Sequence, residues 1–423
     1  MPAEAVFRVL RAERPSLLPL LSLAVGPIDG ACRLASSGAN QNVGRGRPLY
    51  FRVPPRHVYV HVPFCARRCS YCDFAIAVRH RVPADEYARA IARELELRAL
   101  GGSDATVDTI YLGGGTPSLL GPDGVRRVID IVSERFPPAS GAEITIEANP
   151  DDVNATSVAG WRAAGVNRVS LGVQSFHPNA LAWMHRTHGA DQITVAANAL
   201  ADGGMDNWSL DLIFALPEAL ERDWARDLDA AIALAPPHIS LYGLTVESHT
   251  PIARWRDRGD TVEGSEDVYE REYLHADETL RGAGYGHYEV SNFGKPGRTS
   301  RHNKSYWTGA SYVGLGPAAH GYNGFERRWN EREYAAWLRC VNEGKDPLGG
   351  AESLTPENRT SEEVYLGLRT SHGLALLPNE REAVRPWVDA GWGTVDSDRL
   401  RLTATGWLRL DALAASLTML RSR

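Results

Sequence analysis

From residue 57 onward, short β-branched runs alternate with amphipathic stretches six times, and this alternation constrains the chain more than any other feature. The strand candidates are Val58–Val62, Thr109–Leu112, Glu143–Glu147, Arg168–Val173, Ser209–Phe214 and His238–Leu244. The segments between them read as helices. Val125, Val128, Ile129, Val132 and Phe136 recur at i, i+3, i+4, i+7 and i+11, which gathers them on one helical face. Similar patterns cover 85–100, 155–164, 190–202, 221–234 and 266–282. Parallel strands need a long crossover, usually a helix, and spacings of about 25–35 residues supply it. The pattern predicts an α/β fold with a parallel sheet and outer helices, either doubly wound or closed into a barrel; periodicity alone does not choose.

After about residue 330 the alternation stops. Helical patterns at 331–343, 361–370 and 379–390 precede Thr394–Val395, a turn at Asp396–Asp398, Leu400–Leu402 and a last helix starting near Thr405. The expected domains are a barrel-sized unit over 57–325 and a smaller, mostly helical, winged-helix-like domain over 326–423, with a plain helical cap as the alternative. Residues 1–56, rich in Gly, Pro, Arg and Ser, are expected to form a poorly ordered extension. Their run Leu17–Val25 follows Arg8, Arg11 and Arg14 as a signal sequence would. It contains Pro19, lacks a clean cleavage site, and is far short of the ~20 residues that span a bilayer.

A net charge of −6 supplies no field for nucleic acid, so no nucleic-acid partner is expected. Of five cysteines, three fall within eight residues. That is ligand spacing in a reducing cytoplasm, not a disulfide framework; Cys32 and Cys340 read as incidental. In HVPFCARRCSYCDF, residues 61–74, Cys65, Cys69 and Cys72 follow the first strand as C-x-x-x-C-x-x-C. Structural zinc closes a tetrahedron with four ligands, and no fourth cysteine lies nearby. Three thiolates suit a 4Fe–4S cubane with one open iron. In YLGGGTPS, residues 111–118, consecutive glycines let backbone approach a ligand. Glu147, Gln174, Arg186 and Asp211 stand at or near later strand ends, where α/β folds build their sites. Such carboxylates can accept sugar hydroxyls, and the arginine can hold a carboxylate.

These segments resemble the radical S-adenosylmethionine superfamily, in the branch of the oxygen-independent coproporphyrinogen III oxidases. The resemblance runs over roughly 57–420 and implies a partial (β/α)6 barrel. It implies a 4Fe–4S cluster on Cys65, Cys69 and Cys72, and S-adenosylmethionine lined by Tyr59, Tyr71, Gly114, Gly115, Thr116, Glu147, Gln174, Arg186, Asp211 and Gly243. The oxidases carry a further cysteine two residues past the third ligand, where this chain has Phe74 after Asp73. Conversely, His302-Asn303-x-x-Tyr306-Trp307 in SRHNKSYWTG and the following VGLGPAAHGY resemble the haem chaperone family HemW.

That resemblance implies a haem carrier that passes haem to apo-haemoproteins, with an electron donor for the cluster. Histidine is a common haem ligand and aromatic rings offer a flat apolar surface, so His302 is the candidate ligand. Its alternative role is a loop cap, with Tyr306 and Trp307 packed between domains. His320 either touches the adenosine or fills the barrel mouth. The enzyme alternative is oxidative decarboxylation of coproporphyrinogen III. A homodimer and peripheral membrane attachment stay open, with no residue pattern pointing to either.

Overall fold

The computed structural model describes residues 54–98, 100 and 106–422. The expectation for 1–56 falls, up to residue 53, outside them, as does Cys32. Six strands pair in parallel and in chain order: β1 His57–Val62, β2 Val107–Gly114, β3 Pro138–Ala148, β4 Arg168–Gln174, β5 Trp208–Phe214 and β6 His238–Gly243. A seventh, β7 Tyr312–Leu315, lies parallel to β1 on its free side. The helices α1 Ala84–Leu97, α2 Gly121–Arg135, α3 Ala155–Ala163, α4 Ala190–Asp202 and α5 Trp224–Ala233 lie in the crossovers, and α6 Glu266–Gly282 follows β6. β1 and β6 do not pair, so the arc is a partial (β/α)6 barrel.

The strands form because their side chains divide by parity. Val58, Val60 and Val62, Ile110 and Leu112, Ile144 and Ile146, Val169 and Leu171, and Leu210 and Leu212 all join the aliphatic core under the helices. Their alternates, among them Tyr59, His61, Tyr111, Glu147, Ser170 and Asp211, point to the opposite face, since successive strand residues point oppositely. Helix starts are set locally: Asn154 accepts from Thr156 N and Ser157 N in a capping box that opens α3.

The sheet does not end at residue 325. Glu326–Asn330 pairs with His320–Tyr322 and Leu348–Ser353, giving twelve strands in one sheet. The expected division at that point therefore falls inside the sheet. The polar, exposed pattern of Leu348–Ser353 carries no alternation that would mark a strand. Beyond it, Pro356–Arg369 and Leu410–Arg421 pack with a three-stranded antiparallel sheet of Leu374–Ala375, Gly393–Asp396 and Arg399–Leu402. The helix expected over 379–390 is confined to Arg385–Asp389.

One carboxylate joins these layers. Glu94 of α1 is fully buried and accepts from Arg98 Nη1 at 2.7 Å, Asn330 Nδ2 at 2.7 Å, Gly316 N at 2.8 Å and Trp337 Nε1 at 2.9 Å. Removing it would strand a buried guanidinium and three donors. Glu94→Ala is expected to cost about 3–5 kcal/mol in urea unfolding. Asp123→Ala, which breaks an exposed pair with Arg126, is expected to cost no more than about 1 kcal/mol.

Candidate functional site

The site begins where β1 ends. The loop from Pro63 to Arg79 is tied to its own start by Ala77 N to Pro63 O at 2.7 Å and Arg79 N to Cys65 O at 3.0 Å. The glycine turn after β2 holds the same loop: Gly115 N donates to Val62 O at 2.8 Å and Thr116 N to Phe64 O at 2.7 Å. Further along, Ser70 N donates to Met184 O, and Ile252 N donates to Ser70 O. Cys65, Cys69 and Cys72 are all free thiols.

Side chains reach two of these sulfurs. Thr116 Oγ1 lies 3.6 Å from Cys65 Sγ, and Arg186 Nη1 lies 3.4 Å from Cys69 Sγ. Burial pushes the Cys65 thiol up to about 11, against the bond from Thr116 and the charge of Arg68. Burial likewise pushes Cys72 up to about 12. The three thiols sense one another's charge, yet among the described residues no three His, Cys, Asp or Glu side chains close on a single ion. Three thiolates are the donor set of a cubane, which takes one per iron at separate corners.

The glycine turn needs its missing side chains. A Cβ on Gly114, whose φ is +118°, would lie 2.7 Å from the His61 ring, and one on Gly115 would lie 2.7 Å from Phe64 O. Gly114 N donates to Glu147 Oε2 at 2.9 Å, and Tyr111 OH donates to Glu147 Oε1 at 2.8 Å. Burial nevertheless raises the Glu147 carboxyl above the usual carboxylate range.

Arg186 and Gln174 converge from another strand end. A Cβ on Gly172 would meet Gln174 Nε2 at 2.9 Å and Arg186 Nη2 at 3.4 Å, so both side chains occupy the space over that glycine. Arg186 also donates to Gly172 O at 2.8 Å and to Asn149 Oδ1. Gln174 sits at φ +69°, beyond a register shift in β4. A non-glycine residue there stores roughly 1–3 kcal/mol of strain. Asp211 pairs in register with Gly172. Its two oxygens accept from Ser170 Oγ at 2.8 Å and Ser209 Oγ at 2.9 Å. Tyr71 packs against the Ala180–Leu181–Met184 cluster, and burial holds its hydroxyl protonated.

The remaining expected residues have other partners. Tyr59 OH meets His61 Nδ1 at 3.0 Å, and His61 Nε2 meets Ala75 O at 2.9 Å. Gly243 leaves room for Tyr269 of α6, whose ring would lie 2.3 Å from a Cβ there. That is a packing reason for the glycine. His320 stacks on Trp329 with ring centroids 5.7 Å apart.

His302 is fully buried, with Nδ1 2.6 Å from Thr109 Oγ1 and Nε2 2.8 Å from Tyr306 OH. Tyr111 stacks on it at 4.9 Å. Both ring nitrogens are engaged in these contacts. Tyr306 and Trp307 are buried in the same aromatic cluster. Sequence reasoning passed over His61, Thr109 and Asn149. The strand parity of HVYVHV, which puts His61 on the face of Tyr59, could have found the first.

His302 and His238 are held well below 6.5 by burial, and burial lowers His57 and His188 to about 4. Below 6.5 the unfolded chain binds protons that these folded imidazoles refuse. Stability is therefore complete above pH 6.5 and falls as pH drops below it. Each fully buried histidine is expected to contribute up to about 1.4 kcal/mol per pH unit to that fall. Urea midpoints at pH 7 and 5 check it, and His302→Gln should remove one histidine's share.

A sequence profile described as the Radical SAM superfamily matches residues 59–231. The heme chaperone HemW of Mycobacterium tuberculosis is 39% identical over 369 residues, covering 86% of this chain and 95% of that protein. HemW of Synechocystis is 39% identical, covering 77% and 81%, and that of Escherichia coli 38%, covering 64% and 71%. The solved coproporphyrinogen III oxidase HemN of Escherichia coli superposes with a TM-score of 0.74 at 23% identity, covering 87% of this chain and 92% of that one; the likeness is one of fold. With a relative 39% identical over 95% of its length, the chain belongs to the radical SAM superfamily and, within it, to the HemW family.

Proposed function

We propose that this chain is a cytoplasmic haem carrier that takes up haem and passes it to apo-haemoproteins. The observation that carries the reading is the 39% identity to a heme chaperone over 95% of that protein's length. The cysteine loop supports it, since Asp73 and Phe74 follow the third thiol where the oxidase pattern continues to another cysteine. Among the described residues no helix is long and apolar enough to cross a membrane.

Cys65, Cys69 and Cys72 would bind three irons of a 4Fe–4S cluster. Arg186, Gln174, Glu147, Asp211, Thr116 and the backbone of Gly114 and Gly115 would frame S-adenosylmethionine, with Tyr71 at the cluster and Tyr59 and Gly243 completing the wall. When bound, the cluster supplies a low-potential electron and the sulfonium an alkyl radical precursor. The chain's own work is positional. Arg186 donates to the Cys69 sulfur and is built to hold a carboxylate. Asp211 is held by two serine hydroxyls and presents a carboxylate to sugar hydroxyls.

Haem titrated into the anaerobically reconstituted chain should bind near one per chain by absorbance, with no turnover of coproporphyrinogen III. Turnover without stable haem binding would instead make the chain an oxidase. His302→Gln should keep the haem stoichiometry while lowering the unfolding midpoint, because a buried donor–acceptor chain is broken. Loss of stoichiometric haem from a folded His302→Gln protein would make His302 the ligand.

A further inference from the structure

His185 is placed unlike the buried histidines of the barrel. His61, His238, His287 and His302 each have both ring nitrogens engaged. The exposed His80, His249, His275 and His372 make no ring contact among the described residues. His185 is part-exposed, and neither of its ring nitrogens carries a hydrogen bond among the described residues. It lies one residue before Arg186, which reaches the Cys69 sulfur. Its backbone is left-handed, at φ +57°. His185 N donates to Ala182 O at 3.0 Å and Arg186 N to Leu181 O at 2.9 Å. It therefore closes the helix Pro178–Trp183 at the position where glycine is the usual residue. A histidine there costs roughly 1–3 kcal/mol of strain, and its side chain gains no hydrogen bond in return.

Two indoles stand beside it. Trp255 meets the His185 ring edge-on at 73°, with centroids 5.3 Å apart, and Trp183 lies 5.9 Å from Trp255. Both are part-exposed. Trp183 packs on the Leu181–Met184 cluster that also holds Tyr71, and Trp255 is carried by the helix Pro251–Asp257. Ser70 of the cysteine loop joins the two supports. Its N–H donates to Met184 O at 3.1 Å, and its carbonyl accepts from Ile252 N at 3.0 Å. Arg254 and Arg258, both exposed, stand one residue before and three residues after Trp255. An open imidazole nitrogen, a flat apolar wall and nearby cations match an iron porphyrin with two propionates.

We propose that His185 is an axial ligand of the carried haem, with Trp255 and Trp183 forming the wall on which the macrocycle lies. The proposal rests on the haem-carrier reading and names where that reading's iron is held. A ligating imidazole stands upright on the porphyrin, so an indole steeply inclined to it can lie along the ring. The imidazole nitrogen gives its lone pair to the iron and displaces a water. No electron moves, and the other ring nitrogen keeps its proton. A carrier has to give its haem up. At a part-exposed histidine the opposite side of the iron faces solvent, where a ligand of the acceptor can bind before His185 lets go.

The test is titration of ferric haem into the full, anaerobically reconstituted chain, followed by absorbance and electron paramagnetic resonance. Wild type should show a histidine-ligated haem. His185→Gly should fold, since glycine suits the left-handed backbone. It should bind haem about tenfold or more weakly and lose the histidine signature, because the axial nitrogen is gone. Added imidazole should restore that signature, which a merely structural role for His185 would not allow. Trp255→Leu should weaken binding about threefold, the size of one aromatic contact, and keep the signature. If His185→Gly and Trp255→Leu both bind haem with wild-type affinity and spectrum, the site is overturned and the carrier reading stands. A wild-type chain that takes up no haem would overturn the carrier reading, and the site with it.

Discussion

The peptide of Gly114 is fixed between a strand and a carboxylate, and the rest of the site hangs from it. Glu147 takes its N–H, Tyr111 takes the other oxygen of Glu147, and the next two N–H groups tie down Val62 and Phe64. The cysteine loop therefore leaves β1 along a path set by β2 and β3. A side chain at Gly114 or Gly115 would collide with His61 or with the loop backbone itself. Burying Glu147 is costly unless its oxygens are satisfied, and the turn supplies part of that satisfaction.

The same logic explains why the barrel face can be polar. Strand parity sends aliphatic side chains outward to the helices and hydroxyls, imidazoles, carboxylates and phenols to the opposite face. Ser170, Ser209 and Ser240 are not idle: Ser209 meets Ser240 at 3.0 Å and His238 at 2.9 Å, and both Ser170 and Ser209 donate to Asp211. A buried network is stable when its members are satisfied, and here a short side chain on each of three strands does this.

Much of this was readable in the sequence, for identifiable reasons. The six parallel strands were legible because each side of the sheet has its own chemistry, which period-two alternation exposes. The cysteine and glycine motifs were legible because few other uses need that spacing. Glu326–Asn330 and Leu348–Ser353 were missed as sheet members because ERRWN and LGGAES bury little apolar surface. At Gly243 the structure adds a packing reason that the sequence did not show, the ring of Tyr269. The depth of His302 was not legible, because a helix of seven residues, Arg301–Trp307, carries it into the core.

That buried histidine has a further property. His57 Nδ1, Thr109 Oγ1, His302 and Tyr306 form a single file, with contacts of 3.0, 2.6 and 2.8 Å. A threonine hydroxyl has one proton, so it can donate to only one of the two imidazoles that face it and must accept from the other. With His302 neutral, that choice sets its tautomer, and the tautomer sets whether Tyr306 gives or receives. The file therefore has a polarity, and reversing one bond reverses all three. What reads as three separate contacts is one switchable dipole running through the barrel, beside the ring of Tyr111 that supports Glu147.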